Sequence, residues 1–212
     1  MHGLMFGFRE ERAYRSTGAH RIASFLRAEG WDIEVLDFCT EWTLEELKEF
    51  VRSRITSQTK FFGFSSFINW WPEHAEDFTK WIKDTYQNIP TILGGHGALI
   101  TKSNHIDYYV DSFGEVAMLE LCNYLFGNTL CHTGLKFEDH NGKKVIRALH
   151  NFPAWNLPTY ANKHEKRDFL EPYEMLTIEA GRGCKFACKF CNFPVLGVKE
   201  DTSRSAEDLE AE

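Results

Sequence analysis

The stretch Leu4–Phe38, LMFGFREERAYRSTGAHRIASFLRAEGWDIEVLDF, decides the fold class. It opens on the apolar run Leu4–Phe8, which suits a buried strand. A polar loop follows. Ala19–Glu29 then repeats apolar residues at helical spacing, with Ile22, Ala23 and Leu26 on one face, and Gly30 supplies the stop. Asp32–Phe38, rich in Ile33, Val35 and Leu36, reads as a second strand. Strand, helix and strand in this order predict a parallel βαβ unit with a right-handed crossover.

The alternation continues outward from that unit. Thr43, with Glu46 three residues on, forms a capping box ahead of a helix whose buried stripe is Leu44, Leu47, Val51 and Ile55. Phe61–Phe64 is a third strand. Pro72 suits the first turn of a helix whose apolar side is Ala75, Phe78, Ile82 and Tyr86. Pro90–Leu93, closed by Gly94-Gly95, and Asp107–Val110 are the fourth and fifth strands, and Glu115–Phe126 is a helix stopped by Gly127. The predicted fold is therefore α/β, a doubly wound, Rossmann-like sheet of five parallel strands. In such sheets ligands bind beyond the carboxyl ends of the strands, near the reversal of strand order. That directs attention to the loops Arg9–Gly18, Ser65–Trp71 and Gly94–Leu99.

The character changes near residue 130. Leu135–Glu138 and Lys144–Ala148 flank Asn141-Gly142, a hairpin signal. Residues 151–172 are polar, with weak periodicity, and read as a linker. Met175–Glu179 reads as a new strand, and a last helix starts at Ser205, with Asp208 as its capping partner. The expected organisation is an α/β domain over 1–130, a hairpin and linker over 131–174, and a further unit over 175–212.

Of 212 residues, 43% are hydrophobic and 26% charged, a balance that supports a folded core and argues against disorder. The net charge of −7 leaves no basic stripe for nucleic acid. No apolar run approaches the roughly 20 residues that a bilayer-spanning helix needs. Met1–Phe6 lacks the basic start of a signal peptide, and a cytoplasmic location is expected.

Six cysteines are present. Cys39, Cys122 and Cys131 are scattered, and Cys122 reads as a small core residue of an apolar helix. Cys184, Cys188 and Cys191 form a C-x-x-x-C-x-x-C loop. Thiolates select iron–sulfur clusters, zinc or copper(I). Three of them suit a cubane cluster with one open iron, whereas structural zinc asks for four ligands, usually as two separated pairs. His150 and His164 are candidate fourth ligands, but they lie upstream in the linker. A zinc knuckle, or a redox pair at Cys188 and Cys191, is the alternative.

The cysteine spacing, with aromatic Phe190 before the last thiol, resembles the radical S-adenosylmethionine signature. Glu179-Ala-Gly-Arg-Gly-Cys184 resembles the end of the first barrel strand in that family, and Arg204–Asp208 the start of the helix after the cluster loop. The resemblance implies a 4Fe–4S cluster on Cys184, Cys188 and Cys191. S-adenosylmethionine would chelate the open iron, with its adenine beside the backbone around Phe190, and reductive cleavage would release a 5′-deoxyadenosyl radical. It also implies an electron donor such as flavodoxin or ferredoxin. Residues 175–212 hold only the opening of a (β/α) barrel, which needs on the order of 200 residues. The sequence is thus expected to be a fragment, or one part of a split enzyme whose barrel a second chain completes. No residue is assigned a catalytic role.

The first domain resembles the cobalamin-binding domain that precedes many radical S-adenosylmethionine domains. The resemblance rests on Gly30–Asp37, Gly63-Phe64-Ser65-Ser66, Gly94-Gly95 and Asp107–Glu115 in that order. It implies cobalamin contacts at Ser65, Ser66, Gly94 and Gly95. One departure counts: the loop Arg9–Gly18 has no histidine to ligate cobalt, and His20 lies inside the predicted helix. Cobalamin is then held without that ligand, or the domain has lost it. Trp70-Trp71 is expected to pack, and His96 to face solvent. Methyl transfer and radical rearrangement both remain open as reactions. A non-catalytic binding module and a small iron–sulfur electron carrier are the competing functions.

Overall fold

The structure is a computed structural model. It describes residues 1–8, 15–66, 71–95, 98, 101, 103–111, 113–127, 135–140, 142–148, 162–169, 174–182, 186, 188–190 and 202–210.

The strand β1 (His2–Phe8) is buried along its whole length, because strands pair with it on both sides and helices cover both faces. β2 (Asp32–Leu36), β3 (Thr59–Ser66), β4 (Thr91–Gly94) and β5 (Tyr108–Val110) complete the expected parallel set. α1 (Thr17–Ala28), α2 (Leu44–Arg54) and α3 (Glu73–Thr85) connect the first four strands, and α4 (Gly114–Phe126) follows β5. Thr43 and Glu46 make the expected capping box on α2.

Side chains along each strand point alternately to two faces. Leu4, Phe6, Phe8, Phe62, Phe64 and Leu93 form one core with residues of α2 and α3. Phe6 sits at its centre, edge-on to Phe78 at 5.0 Å and stacked on Phe64 at 5.6 Å. Met5, Val35, Phe61, Ile92 and Val110 form the other core with α1 and α4. There the two helices approach closely: a Cβ on Gly114 would stand 2.6 Å from the Ile22 side chain.

The sheet differs from the five-stranded expectation by two strands. The hairpin β6 (Leu135–His140) and β7 (Lys143–Ala148) docks onto it, β7 running parallel to β5. The order is β2-β1-β3-β4-β5-β7-β6. The reason is burial: Val145 and Ile146 alternate into the two cores and cover the open edge of β5.

The stretch read as a linker contains a docked part. Residues 162–169 lie against α1 and β2, with a short 3-10 turn at Lys166–Asp168 and Asp168 fully buried. The strand expected at Met175–Glu179 does not form: Met175 makes a single bridge, and residues 176–180 have no regular structure. Met175, Leu176 and Ile178 are at least half exposed, and side-chain anchors hold the segment instead of a strand ladder. Regular pairing begins at β8 (Gly181–Arg182), antiparallel to β9 (Thr202–Ser203), and Ser205 caps α5 (Ala206–Glu210) through Asp208. No helix among the described residues is long and apolar enough to cross a membrane.

Candidate functional site

A cavity of about 320 Å³ opens at the carboxyl ends of β3 and β4, between the N-termini of α1 and α4. In this strand order the reversal falls between β1 and β3, where a doubly wound sheet leaves a crevice. Met5, Gly63, Ile92 and Val110 line its apolar side. Gly63 pairs with Met5 on one side and Ile92 on the other, and a Cβ there would press on Met5 Cγ at 3.1 Å. Ser16, Thr17, Ser65 and Ser66 bring hydroxyls.

All four residues that the sequence nominated in this domain, Ser65, Ser66, Gly94 and Gly95, line the cavity. Ser65 Oγ stands 3.5 Å from Ser16 Oγ, and Ser66 Oγ donates to the Gly94 carbonyl at 3.4 Å. Gly95 has φ +108, and a Cβ there would overlap the Ser66 carbonyl oxygen. Both constraints select glycine.

The sequence did not reveal the charged wall. Arg21 of α1, Glu115 in the first turn of α4 and Glu179 all line the cavity. Arg21 Nε is 3.5 Å from Glu115 Oε1 and 3.6 Å from Glu179 Oε2. Arginine and glutamate on helices usually face solvent, so nothing in their spacing marked them.

A second buried set orients α1. Asp37 Oδ2 accepts from the Ser16 amide at 3.1 Å and pairs with His20 Nε2 at 2.8 Å. Burial alone would raise the Asp37 pKa. The hydrogen bond and charge of His20, the Ser16 amide and the Arg15 charge outweigh it and hold the carboxyl below its usual range. His20 is fully buried and is not among the residues lining the cavity. His164, one candidate fourth metal ligand, instead lies beside His20, ring centroids 4.5 Å apart, and burial first, then the His20 charge, lowers its pKa.

The segment before the cysteines is pinned to the domain. Arg15 is buried, binds Glu174, and donates to the carbonyls of Asp168 and Phe169 at 2.7 and 2.6 Å. Thr177 Oγ1 donates to the Arg15 carbonyl at 3.3 Å. Arg204 donates from its amide to the Ala180 carbonyl and from Nη1 to the Glu179 carbonyl, at 2.9 and 3.1 Å. Together with β8 and β9 this makes a neck that joins the two ends of residues 183–201.

Cys188 is exposed, and Phe190 is 92% exposed. Cys39 and Cys122 are buried, and burial raises both thiol pKa values, so they serve the core. Trp71 packs on Phe8 and Phe64 and donates to Glu76 at 3.0 Å, as expected of a packing residue. Cys184 and Cys191, with Cys131, Trp70, His96, His150 and most of the loop Arg9–Gly18, lie outside the described residues. Among the described residues no cluster of three His, Cys, Asp or Glu side chains is arranged for a metal ion.

Solved structures of the radical S-adenosylmethionine methyltransferase TsrM from Kitasatospora setae are similar. One, with cobalamin and a [4Fe-4S] cluster bound, superposes with a TM-score of 0.66 at 14% identity. Another, with tryptophan substrate and the S-adenosylmethionine analogue aza-SAM, gives 0.61 at 13%. Each alignment covers 99% of this chain and 44% of the other, so the chain spans less than half of the matched protein. At this identity the likeness establishes a shared fold. No protein-family profile matches the sequence, and no curated protein matches it.

Proposed function

We propose that the chain is the cofactor-binding part of a radical S-adenosylmethionine methyltransferase, in which the cavity takes a corrinoid of the cobalamin type and Cys184, Cys188 and Cys191 hold a 4Fe–4S cluster. One observation carries the reading. Ser65, Ser66, Gly94 and Gly95 converge on a single cavity, and Glu179, whose carbonyl is part of the neck of the cysteine stretch, completes its wall.

The residues fit both groups. An apolar floor suits a flat heterocycle, and the hydroxyls of Ser16, Ser65 and Ser66 suit its polar substituents. Gly94, where a Cβ would meet nothing nearer than Val110 at 3.9 Å, leaves backbone open to the ligand, and Gly95 lets the Ser66 backbone pack closely at its edge. His20 is engaged with Asp37, so this reading uses no histidine on cobalt. Three soft thiols suit iron and leave one iron for S-adenosylmethionine, and Cys188 is accessible. When bound, the cluster supplies the electron that cleaves S-adenosylmethionine, and the corrinoid supplies a methyl carrier. The chain itself binds the heterocycle, holds the ends of the cysteine stretch together, and presents the backbone around Phe190 to the adenine. Flavodoxin or ferredoxin is the class of electron donor. Likeness to a methyltransferase favours methyl transfer over rearrangement.

Anaerobic reconstitution with iron and sulfide tests the cluster. A 4Fe–4S spectrum that shifts on adding S-adenosylmethionine, and is lost in Cys188→Ala, is expected. Tightly bound zinc with refusal of iron, or a cluster indifferent to S-adenosylmethionine, refutes it. Retention of hydroxocobalamin through gel filtration tests the cavity.

A further inference from the structure

We infer that Arg21, shared between Glu115 and Glu179, couples occupancy of the cavity to the neck that closes the cysteine stretch. The inference rests on the cavity being the corrinoid site. Arg21 and Glu115 belong to the two helices that flank the cavity, while Glu179 reaches it from outside the α/β layers. One cation therefore serves two carboxylates from different parts of the chain, and these side chains are 4%, 6% and 16% exposed.

Both separations exceed a good hydrogen-bond length, so these two contacts depend on charge more than on fixed geometry. Attraction of this kind responds to its surroundings. Water in an open cavity screens it. A ligand that displaces the water lowers the local dielectric and strengthens the pull of Arg21 on both carboxylates. At Glu179 the effect has a short path outward. Its carbonyl accepts from Arg204, the next carbonyl accepts from the Arg204 amide, and Gly181 then opens β8. Tightening at the Glu179 carboxylate thus steadies the neck. By linkage, steadying the neck favours the filled cavity by the same factor.

Glu174 provides a built-in comparison. It anchors the same segment through Arg15 and is not among the cavity-lining residues. A merely structural role for Glu179 would make Glu174→Gln and Glu179→Gln behave alike.

Hydrogen–deuterium exchange on the full chain, with and without hydroxocobalamin, tests the coupling. In the parent protein the probe is expected to slow exchange at 63–66 and 94–95. It should also slow exchange at 177–182 and 202–208 by about fivefold or more, the low end for coupled sites. Glu179→Gln should lose the protection at the neck even at hydroxocobalamin concentrations raised enough to restore the protection at 63–66, since linkage weakens its binding. Glu174→Gln should raise basal neck exchange and keep the ligand-induced slowing. Protection at 63–66 with an unresponsive neck in the parent overturns the coupling alone, as does a Glu179→Gln neck that still responds. No protection at 63–66 in the parent overturns the corrinoid reading and the coupling with it.

Discussion

Asp168→Asn removes one negative charge and almost no volume, from a side chain with no exposed surface. Its two oxygens accept four hydrogen bonds. Oδ1 takes the Val35 amide at 3.1 Å and Arg27 Nη2 at 2.5 Å; Oδ2 takes Arg27 Nη1 at 3.0 Å and the Glu165 amide at 2.9 Å. An asparagine must turn an NH₂ toward one of those donor pairs, and Arg27 loses its nearer, buried counter-charge, keeping Glu165 at 3.7 Å. Breaking a buried pair costs about 3–5 kcal/mol. The segment 162–169 has an escape, however: it can lift away and let water reach Arg27. The loss therefore appears first as local opening, and at about 1.4 kcal/mol per factor of ten it makes opening at least on the order of a hundredfold easier. Hydrogen exchange at 162–169 reads this directly, and β1 and β3 should change far less. Acid should mimic the substitution. Burial would raise the Asp168 pKa, but the Arg27 hydrogen bonds, the Glu165 amide and the charges of Arg27 and His20 lower it overall. A depressed carboxylate pKa stabilises the docked state above the unfolded value, about 3.9, and that contribution is lost as pH falls through the folded value. If Asp168→Asn leaves exchange at 162–169 unchanged at neutral pH, the docking argument is wrong.

Three further outcomes are expected. Gly95→Ala should lower the melting temperature and weaken hydroxocobalamin retention, because φ +108 and the Ser66 carbonyl both oppose a Cβ; backbone strain alone costs about 1–3 kcal/mol, and an unchanged protein would contradict the cavity geometry. Phe6→Ala should cost about 3–5 kcal/mol in urea unfolding, since it empties the centre of the aromatic core, and a loss under 1 kcal/mol would show that this core is not close-packed. Brief iodoacetamide treatment of the native protein, read by mass spectrometry, should label Cys188 and spare Cys39 and Cys122, whose thiols are buried and shifted away from the reactive thiolate; modification of Cys122 at a comparable rate would refute its burial.

Much of the fold was legible because its signals are local. The helix stop at Gly30, the capping box at Thr43 and Glu46, and the apolar runs of β1 to β5 are each written within a few neighbouring residues. The nominated residues Ser65, Ser66, Gly94 and Gly95 were legible for the same reason, since short strands ending in small residues are a local pattern. The polar positions His20, Ser24 and Arg27 of α1 were not. Polar residues at helical spacing carry no mark of burial, and these meet Asp37, Lys163 and Asp168.

By itself, then, the sequence determined the parallel α/β alternation, the position of the crevice and the identity of three clustered thiols. Each follows from short-range periodicity or from side-chain chemistry that needs no partner. Only the tertiary structure decided that the hairpin extends the sheet, that residues 162–169 dock on α1, and that Arg21, Glu115 and Glu179 meet at one cavity wall. Those outcomes depend on which distant surfaces are buried against each other, and a charged residue carries no mark of the partner that will neutralise it.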